Sequence, residues 1–136
     1  MCEFLFPIIG LFAGGVGYLI VNFWMTPLLK YLEIKHQVTS DLVFYANVIN
    51  ANGMNERMEK LLLERRESNR KHAAEIRASF FRLPKWYRYI LCSRNEDPVA
   101  ASKNLICLSN THEEDQATKV INTLKKNLNI NDNINE

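Results

Sequence analysis

Length, composition and charge exclude several classes of protein. The chain has 136 residues, with 17 Lys and Arg against 15 Asp and Glu and a formal net charge of +2. It is therefore short enough to hold one membrane segment and, at most, one small domain. The charge is too mild for a DNA-binding protein, which usually presents a concentrated basic face. The content of apolar side chains argues against wholesale disorder.

The N-terminal fifth of the chain predicts a membrane anchor. Residues 4–29 contain no charged side chain. A spanning helix needs about 20 mostly apolar residues to cross roughly 30 Å of hydrocarbon, and residues 5–24 supply them. A cleaved signal peptide would have a basic start and a small-residue cleavage site, but residues 1–3 contain no Lys or Arg and no A-x-A follows. We therefore expect residues 1–29 to be a retained anchor in the lipid bilayer.

The basic residues near the span predict its orientation. None precedes the span, whereas Lys30 and Lys35 follow it at once. By the positive-inside rule, the N-terminus lies outside and the C-terminal part is cytoplasmic, in an inner or plasma membrane. An odd number of cysteines without a C-x-x-C spacing also suits a reducing compartment; they are Cys2, Cys92 and Cys107.

Four small residues lie at i, i+3, i+4 and i+7 within the span: Gly10, Ala13, Gly14 and Gly17. Lipid provides no hydrophobic force between helices, so spanning helices associate where small residues let their backbones approach. The spacing predicts a packing face for self-association or for a partner span. The alternative is compositional, because Gly is common in transmembrane helices. Asn22 either forms a hydrogen bond between helices or lies at interface depth.

After Pro27 the pattern becomes amphipathic, with apolar residues spaced by 4, 3 and 4; these are Val38, Leu42, Tyr45 and Ile49. Two interpretations remain open at this point. Pro27 kinks the helix that leaves the span, or Ser40 or Asp41 caps a new helix. Residues 50–53, Asn-Ala-Asn-Gly, are expected to end this element.

The next predicted helix begins after Asn55 as its cap and ends at Pro84. Its apolar stripe comprises Met58, Leu62, Ile76, Phe80 and Leu83, and polar residues interrupt the middle, namely Arg65, Asn69 and His72. Between residues 56 and 77, 12 of 22 side chains are charged. This pattern favours a helix with packed ends and a solvated centre, since charge runs usually mark a solvated face. The alternative is a polar seam that binds a partner chain.

Residues 79–94 interleave aromatic and basic side chains and contain no acid. If residues 85–92 are helical, Trp86, Tyr89 and Ile90 share one face. Such a strip suits the headgroup layer of an anionic membrane, and the candidate membrane-surface residues are Arg82, Lys85, Trp86, Arg88 and Tyr89. Two alternatives are a helix corner whose aromatics fill the core and, less favoured, a surface that stacks single-stranded nucleic acid.

Two short helices are predicted near the C-terminus. Asp97 and Pro98 are a cap followed by proline at the first helical position. Residues 111–114, Thr-His-Glu-Glu, are predicted to be a capping box. The apolar side of the last helix comprises Val120, Ile121, Leu124 and Leu128, and residues 129–136 are expected to be a flexible tail.

No pattern predicts catalytic chemistry. The three histidines lack a second ligand at metal spacing, the cysteines lack a nucleophile signature, and there is no Gly-rich phosphate loop. We expect no enzymatic activity, no cofactor, no metal site and no small-molecule substrate.

The sequence thus predicts an all-α protein, in which one N-terminal transmembrane helix precedes a small cytoplasmic helical bundle or hairpin over residues 30–128. The leading hypothesis is a membrane-anchored interaction or scaffold subunit that assembles with itself or with a protein partner. The layout resembles that of small membrane proteins encoded beside bacterial defence or toxin systems, which implies a second hypothesis, a membrane-perturbing effector. The third hypothesis is a membrane-tethered nucleic-acid binder.

Overall fold

The computed structural model describes residues 5–46, 48 and 55–130, with side chains described from Ile9 onward. Across these residues the protein is all-helical and contains no strand, as predicted. In chain order the elements are α1 Leu5–Ile20, a π-helical segment Val21–Met25, α2 Thr26–Phe44, α3 Glu56–Arg82, α4 Lys85–Ser93, α5 Pro98–Asn110 and α6 Glu114–Asn127. The predicted breaker at 50–53 and the tail at 131–136 lie outside the described residues.

The first three elements form one uninterrupted helix. Ile20 and Thr26, which flank the π-helical segment, both have right-handed helical dihedral angles. At 1.5 Å per residue the helix is about 60 Å long. Pro27 falls in the first turn of α2 and does not end the helix, and no new helix begins at Ser40 or Asp41.

One helix in the described part of the chain is long and apolar enough to cross a membrane. It covers Ile9–Phe44, and none of its most apolar 18-residue window is buried within the protein. In contrast, the second half of the same helix enters the bundle from Tyr31 onward. We call residues 5–25 the apolar segment and the packed helices α2–α6 the bundle.

The bundle has one main core, to which each of its helices contributes an apolar face. α3 lies between α2 and α5, and α6 packs on α5. Each large apolar side chain that is fully buried contributes about 1.5–3 kcal/mol. The buried core residues are Tyr31, Ile34, Val38, Ala73, Ile76, Leu83, Leu91, Ala101, Leu105, Leu124 and Leu128.

The corner between α3 and α4 forms at Leu83 and Pro84, confirming that Pro84 ends the helix. A residue before proline is disfavoured in the α region, and Leu83 accordingly has an extended backbone with ψ of 141°. The Pro84 carbonyl then accepts hydrogen bonds from the backbone N–H groups of Tyr87 and Arg88, at 3.1 and 3.2 Å. This corner turns the chain back so that α4 begins beside the end of the apolar segment.

The centre of α3 is buried, so the interpretation of a solvated centre is wrong. Arg65, Asn69 and His72 are 3–6% exposed. The reason is that α2 and the residues just after it pack against α3 and offer polar partners. Arg65 Nη1 donates to the carbonyl of Val48, which follows α2, at 3.0 Å, and His72 Nε2 lies 3.0 Å from Asp41 on α2. The polar seam is therefore covered by the protein's own α2 and is not open to a partner chain.

The predicted caps have different outcomes. The Asp97 carboxylate accepts hydrogen bonds from the backbone N–H groups of Val99 and Ala100, at 3.1 and 2.9 Å, which confirms this cap. The capping box at 111–114 is wrong, because Thr111 donates its hydroxyl to the carbonyl of Cys107 and so finishes α5. Asn55 occupies the N-cap of α3, but its side chain caps no N–H group.

Residues 129 and 130, the first two of the predicted tail, pack onto the bundle after α6. Asn129 has a positive φ of 48°, the left-handed conformation that commonly ends helices. The N–H of Ile130 then bonds to the carbonyl of Lys125 at 2.9 Å, and Ile130 packs against the core. The predicted apolar side of α6 is confirmed, with Leu124 and Leu128 fully buried.

Candidate functional site

The predicted helix-packing face has no close neighbour among the residues that the structure describes. Gly10, Ala13 and Gly14 are exposed and Gly17 is half-exposed. A Cβ atom added at any of the three glycines would meet no heavy atom within 4 Å. The apolar segment therefore presents a continuous shallow strip along which another helix could approach closely.

The polar side chains of the apolar segment form hydrogen bonds within their own helix. The side-chain amide of Asn22 donates to the carbonyl of Tyr18 at 3.0 Å. Thr26 bonds to the carbonyl of Val21 through its backbone N–H and, at 3.0 Å, through its hydroxyl. Both side chains thus bond to carbonyls of their own helix, which continues through Pro27.

A groove of about 500 Å³ opens where the π-helical segment and α2 face the second half of α3. Its apolar wall comes from Phe23, Pro27 and Ile34, and its charged side chains are Lys30, Glu75 and Arg82. The remaining lining residues are Asn22, Thr26, Ala78 and Ser79. The groove thus joins the end of the apolar segment to the bundle.

A chain of aromatic rings ties α4 to the long helix on the side of Trp24. The Trp24 and Trp86 ring centroids are 6.5 Å apart in an edge-to-face arrangement. Trp86 contacts Tyr87 at 5.6 Å, and Tyr87 contacts Tyr31 at 6.5 Å. Such pairs are stabilising beyond the area that they bury. Trp24 at the end of the apolar segment and Trp86 on α4 therefore lie at one level.

The structure divides the predicted membrane-surface residues into two groups. Arg82, Lys85, Trp86 and Tyr89 are exposed, and Trp86, Tyr89 and Ile90 share the outer face of α4 as predicted. Arg88 instead stabilises the α3–α4 corner: its Nε donates to the carbonyl of Leu83 at 3.1 Å, and its guanidinium lies 5.9 Å from the ring centroid of Phe80. The core-filling alternative is correct for the side chains that face inward, Phe80 and Tyr87.

A buried carboxylate that no sequence pattern indicated lies just after α4. Asn95 has a φ of 57°, which places the N–H of Glu96 2.9 Å from the carbonyl of Leu91, the hydrogen bond of a Schellman motif. This turn directs Glu96 into the bundle, where its side chain is 3% exposed. An Asn just after a predicted helix end was the available signal, because Asn adopts left-handed dihedral angles more readily than most residues.

Lys35 and Tyr31, both on α2, bind the Glu96 carboxylate. Lys35 Nζ donates to it at 3.1 Å, and the Tyr31 hydroxyl lies 3.4 Å from the same oxygen. Burial first, and then the Glu96 charge, raise the pKa of Tyr31 well above its usual range, and the same two causes raise the pKa of Tyr87. This cluster links α2 to the loop that follows α4.

A second polar cluster joins α2 to α3. The same Asp41 oxygen accepts a hydrogen bond from the Ser68 hydroxyl and lies 3.0 Å from His72 Nε2. Nucleophile activation requires the serine hydroxyl to bond to the imidazole, which the carboxylate then orients from the other side. Here the serine and histidine both face the carboxylate, so the geometry links two helices without activating Ser68.

Within residues 5–46, 48 and 55–130 no group of three His, Cys, Asp or Glu side chains is placed to hold a metal ion. Cys92 and Cys107 are free and exposed. No family model matches the chain, and neither a curated protein nor a solved structure matches it.

Proposed function

We propose that the protein is a single-pass membrane-anchored subunit that assembles with itself through the face of Gly10, Ala13, Gly14 and Gly17. The observation that carries this proposal is the continuity of the long helix. None of its most apolar 18-residue window is buried by the described residues, while its second half is part of the bundle core. No flexible linker lies between them among the described residues.

Because the helix is continuous, association of the spans would also determine how the two bundles are oriented. Residues in one helix keep a fixed angular relation, with about 100° between successive positions. Two spans that pack through the glycine face would therefore set the direction in which each α2, and the bundle around it, faces its partner. A membrane tether alone would not need such a rigid connection.

The proposed orientation places the bundle in the cytoplasm. Lys30 and Lys35 follow the apolar segment, and basic residues concentrate on the cytoplasmic side of spanning helices. The exposed outer face of α4, with Trp86 and Tyr89, then lies at the level of Trp24, where aromatic side chains favour the membrane interface. We propose that this face rests on the headgroup layer.

The two other hypotheses receive less support. A membrane-perturbing pore needs polar side chains that face a lumen, and the side chains of Asn22 and Thr26 are hydrogen-bonded within their own helix. A nucleic-acid surface needs free cations beside stacking rings, and Arg88 is held at the α3–α4 corner. Self-assembly remains the function that the geometry supports best.

A two-hybrid assay on the full chain tests the proposal, with a split reporter that works only in the cytoplasm fused to the C-terminus. Gly14→Ile or Gly17→Ile should reduce the signal close to that of a non-interacting pair, because a branched side chain separates the helix backbones. Gly15→Ile is the matched control, since the same change there lies off the packing face and also meets no atom of the chain.

Three outcomes would contradict the proposal. A silent wild type, expressed at a normal level, would argue against self-association or against the cytoplasmic orientation. Equal signals for Gly14→Ile and wild type would mean that the small residues reflect composition only. A loss of signal in Gly15→Ile as large as in Gly14→Ile would show that the substitution acts without regard to the face.

A further inference from the structure

We propose that the groove between α2 and α3 binds the headgroup of a phospholipid that carries both a phosphate and a primary ammonium, as phosphatidylethanolamine does. The proposal rests on the proposed membrane insertion of the apolar segment. It does not depend on self-association, so the two can fail separately.

The groove lies at the depth where a headgroup would be found. Asn22 and Phe23 in the π-helical segment, next to Trp24, line the end of the groove that is nearest the apolar segment. Trp24 meets Trp86 on α4, and α4 begins just after Arg82, another residue of the groove. The groove therefore opens where the span leaves the hydrocarbon and the bundle begins.

The charged side chains of the groove have long, exposed or no ion pairs and can bind a ligand. Glu75 Oε2 lies 3.8 Å from His72 Nδ1, and the Glu75 side chain is 34% exposed. Thr26, Asn22 and Ser79 each donate one hydrogen bond to a carbonyl of their own helix. The Arg82 side chain forms no hydrogen bond, ion pair or ring contact with any residue that the structure describes. Lys30 pairs with Glu33 at 3.0 Å, but both side chains are 55% exposed, and such surface pairs contribute about 0–1 kcal/mol.

The pattern of charge matches a headgroup of mixed charge better than a purely anionic one. Lys30 and Arg82 can hold a phosphate, for which charge-assisted hydrogen bonds are strong. Glu75 on the α3 side would repel a second negative charge and attract an ammonium.

The apolar wall fits the rest of the lipid. Phe23 and Pro27 line the groove and can contact the glycerol and the first methylene groups of the acyl chains. A volume of about 500 Å³ lies within the roughly 300–1,000 Å³ of small-molecule sites. The groove can therefore hold a headgroup while the acyl chains follow the apolar segment into the bilayer.

Native mass spectrometry of the full chain tests the proposal, after reconstitution in vesicles of equal parts phosphatidylethanolamine, phosphatidylcholine and phosphatidylglycerol. The wild type should retain one phosphatidylethanolamine in preference to the other two lipids. Arg82→Gln should retain it at least about tenfold less, the change expected from one lost charge-assisted hydrogen bond. Glu75→Gln should lose the preference for phosphatidylethanolamine over phosphatidylcholine.

Arg77→Gln is the matched control. Arg77 lies on the same helix and loses the same charge, but it lines a different surface between α3 and α5, so its lipid retention should equal that of the wild type. Circular dichroism should show equal helicity for all variants. Retention of no lipid, preference for phosphatidylglycerol, or equal losses in Arg82→Gln and Arg77→Gln would each overturn the proposal.

Discussion

The two halves of the long helix differ in what covers their apolar side chains. Residues 5–25 expose side chains such as Leu11, Phe12 and Phe23, each about 70–80% accessible. In α2, Tyr31, Ile34 and Val38 are 0–2% accessible, because the bundle packs around them. An exposed apolar surface of this extent is rare on monomeric soluble proteins, and the first half is long and apolar enough to cross a membrane.

This comparison teaches that the charged side chains of a helix decide what can surround it. The apolar segment contains none, whereas α2 contains Lys30, Glu33, Lys35 and Asp41. α2 alternates its apolar residues with charged ones, so one stripe can face a core while the other faces water. The apolar segment is hydrophobic on all sides, a pattern that suits a membrane span.

The largest effect should come from the ion pair that holds α2 in the bundle. Lys35→Met leaves the Glu96 carboxylate buried without its cation, which should cost about 4 kcal/mol of unfolding free energy. Thermal unfolding of the full chain in mild detergent, followed by circular dichroism, should then show a lower Tm. The double variant Lys35→Met with Glu96→Leu should recover most of the loss, since no charge is left buried. An unchanged Tm in the single variant would show that the pair is not needed.

A matched pair of isoleucines on the one helix tests the comparison directly. Ile34 is 2% exposed and Ile20 is 42% exposed. Ile34→Ala should lower the unfolding free energy of the bundle by about 3 kcal/mol, because it leaves a cavity in the core. Ile20→Ala should leave the same thermal transition in place, since nothing in the bundle packs on it. Equal shifts in the two variants would contradict the division of the helix into two environments.

The smallest expected effect is a change in tryptophan fluorescence at the boundary between the two halves of the long helix. The chain has two tryptophans, one on each side of the aromatic contact. Each of the variants Trp24→Phe and Trp86→Phe keeps one tryptophan as a fluorescent probe. In vesicles, the fluorescence of both probes should be quenched most by lipids brominated near the headgroup, because the two rings lie 6.5 Å apart in the wild type. If aqueous acrylamide quenched the fluorescence of Trp86 and no brominated lipid did, α4 would not rest on the membrane.

Much of the local structure follows from local chemistry, which is why the sequence predicts it. Pro84 disfavours a helical Leu83 and so separates α3 from α4. The carboxylate of Asp97 caps a helix that begins with Pro98, because both preferences act within a few residues. Where two local preferences compete, prediction fails: Thr111 caps the carbonyl end of α5 and is not available to begin α6.

The candidate sites were predictable to different degrees. The glycine face depends only on helical spacing, so the sequence alone identifies its residues. The role of Arg88 depends on a carbonyl and a ring that the α3–α4 corner brings to it. The groove joins residues about 50 positions apart, such as Lys30 and Arg82, and no local pattern links them.

By itself the sequence determined the helical class, the apolar segment and the small-residue face, because periodicity and charge act along a single helix. Only the tertiary structure decided that the helix runs through Pro27 into the bundle and that α2 covers the polar centre of α3. It also decided that Glu96 turns inward to Lys35. The physical reason is that a buried polar group needs a partner, and those partners come from elements that are distant in the chain.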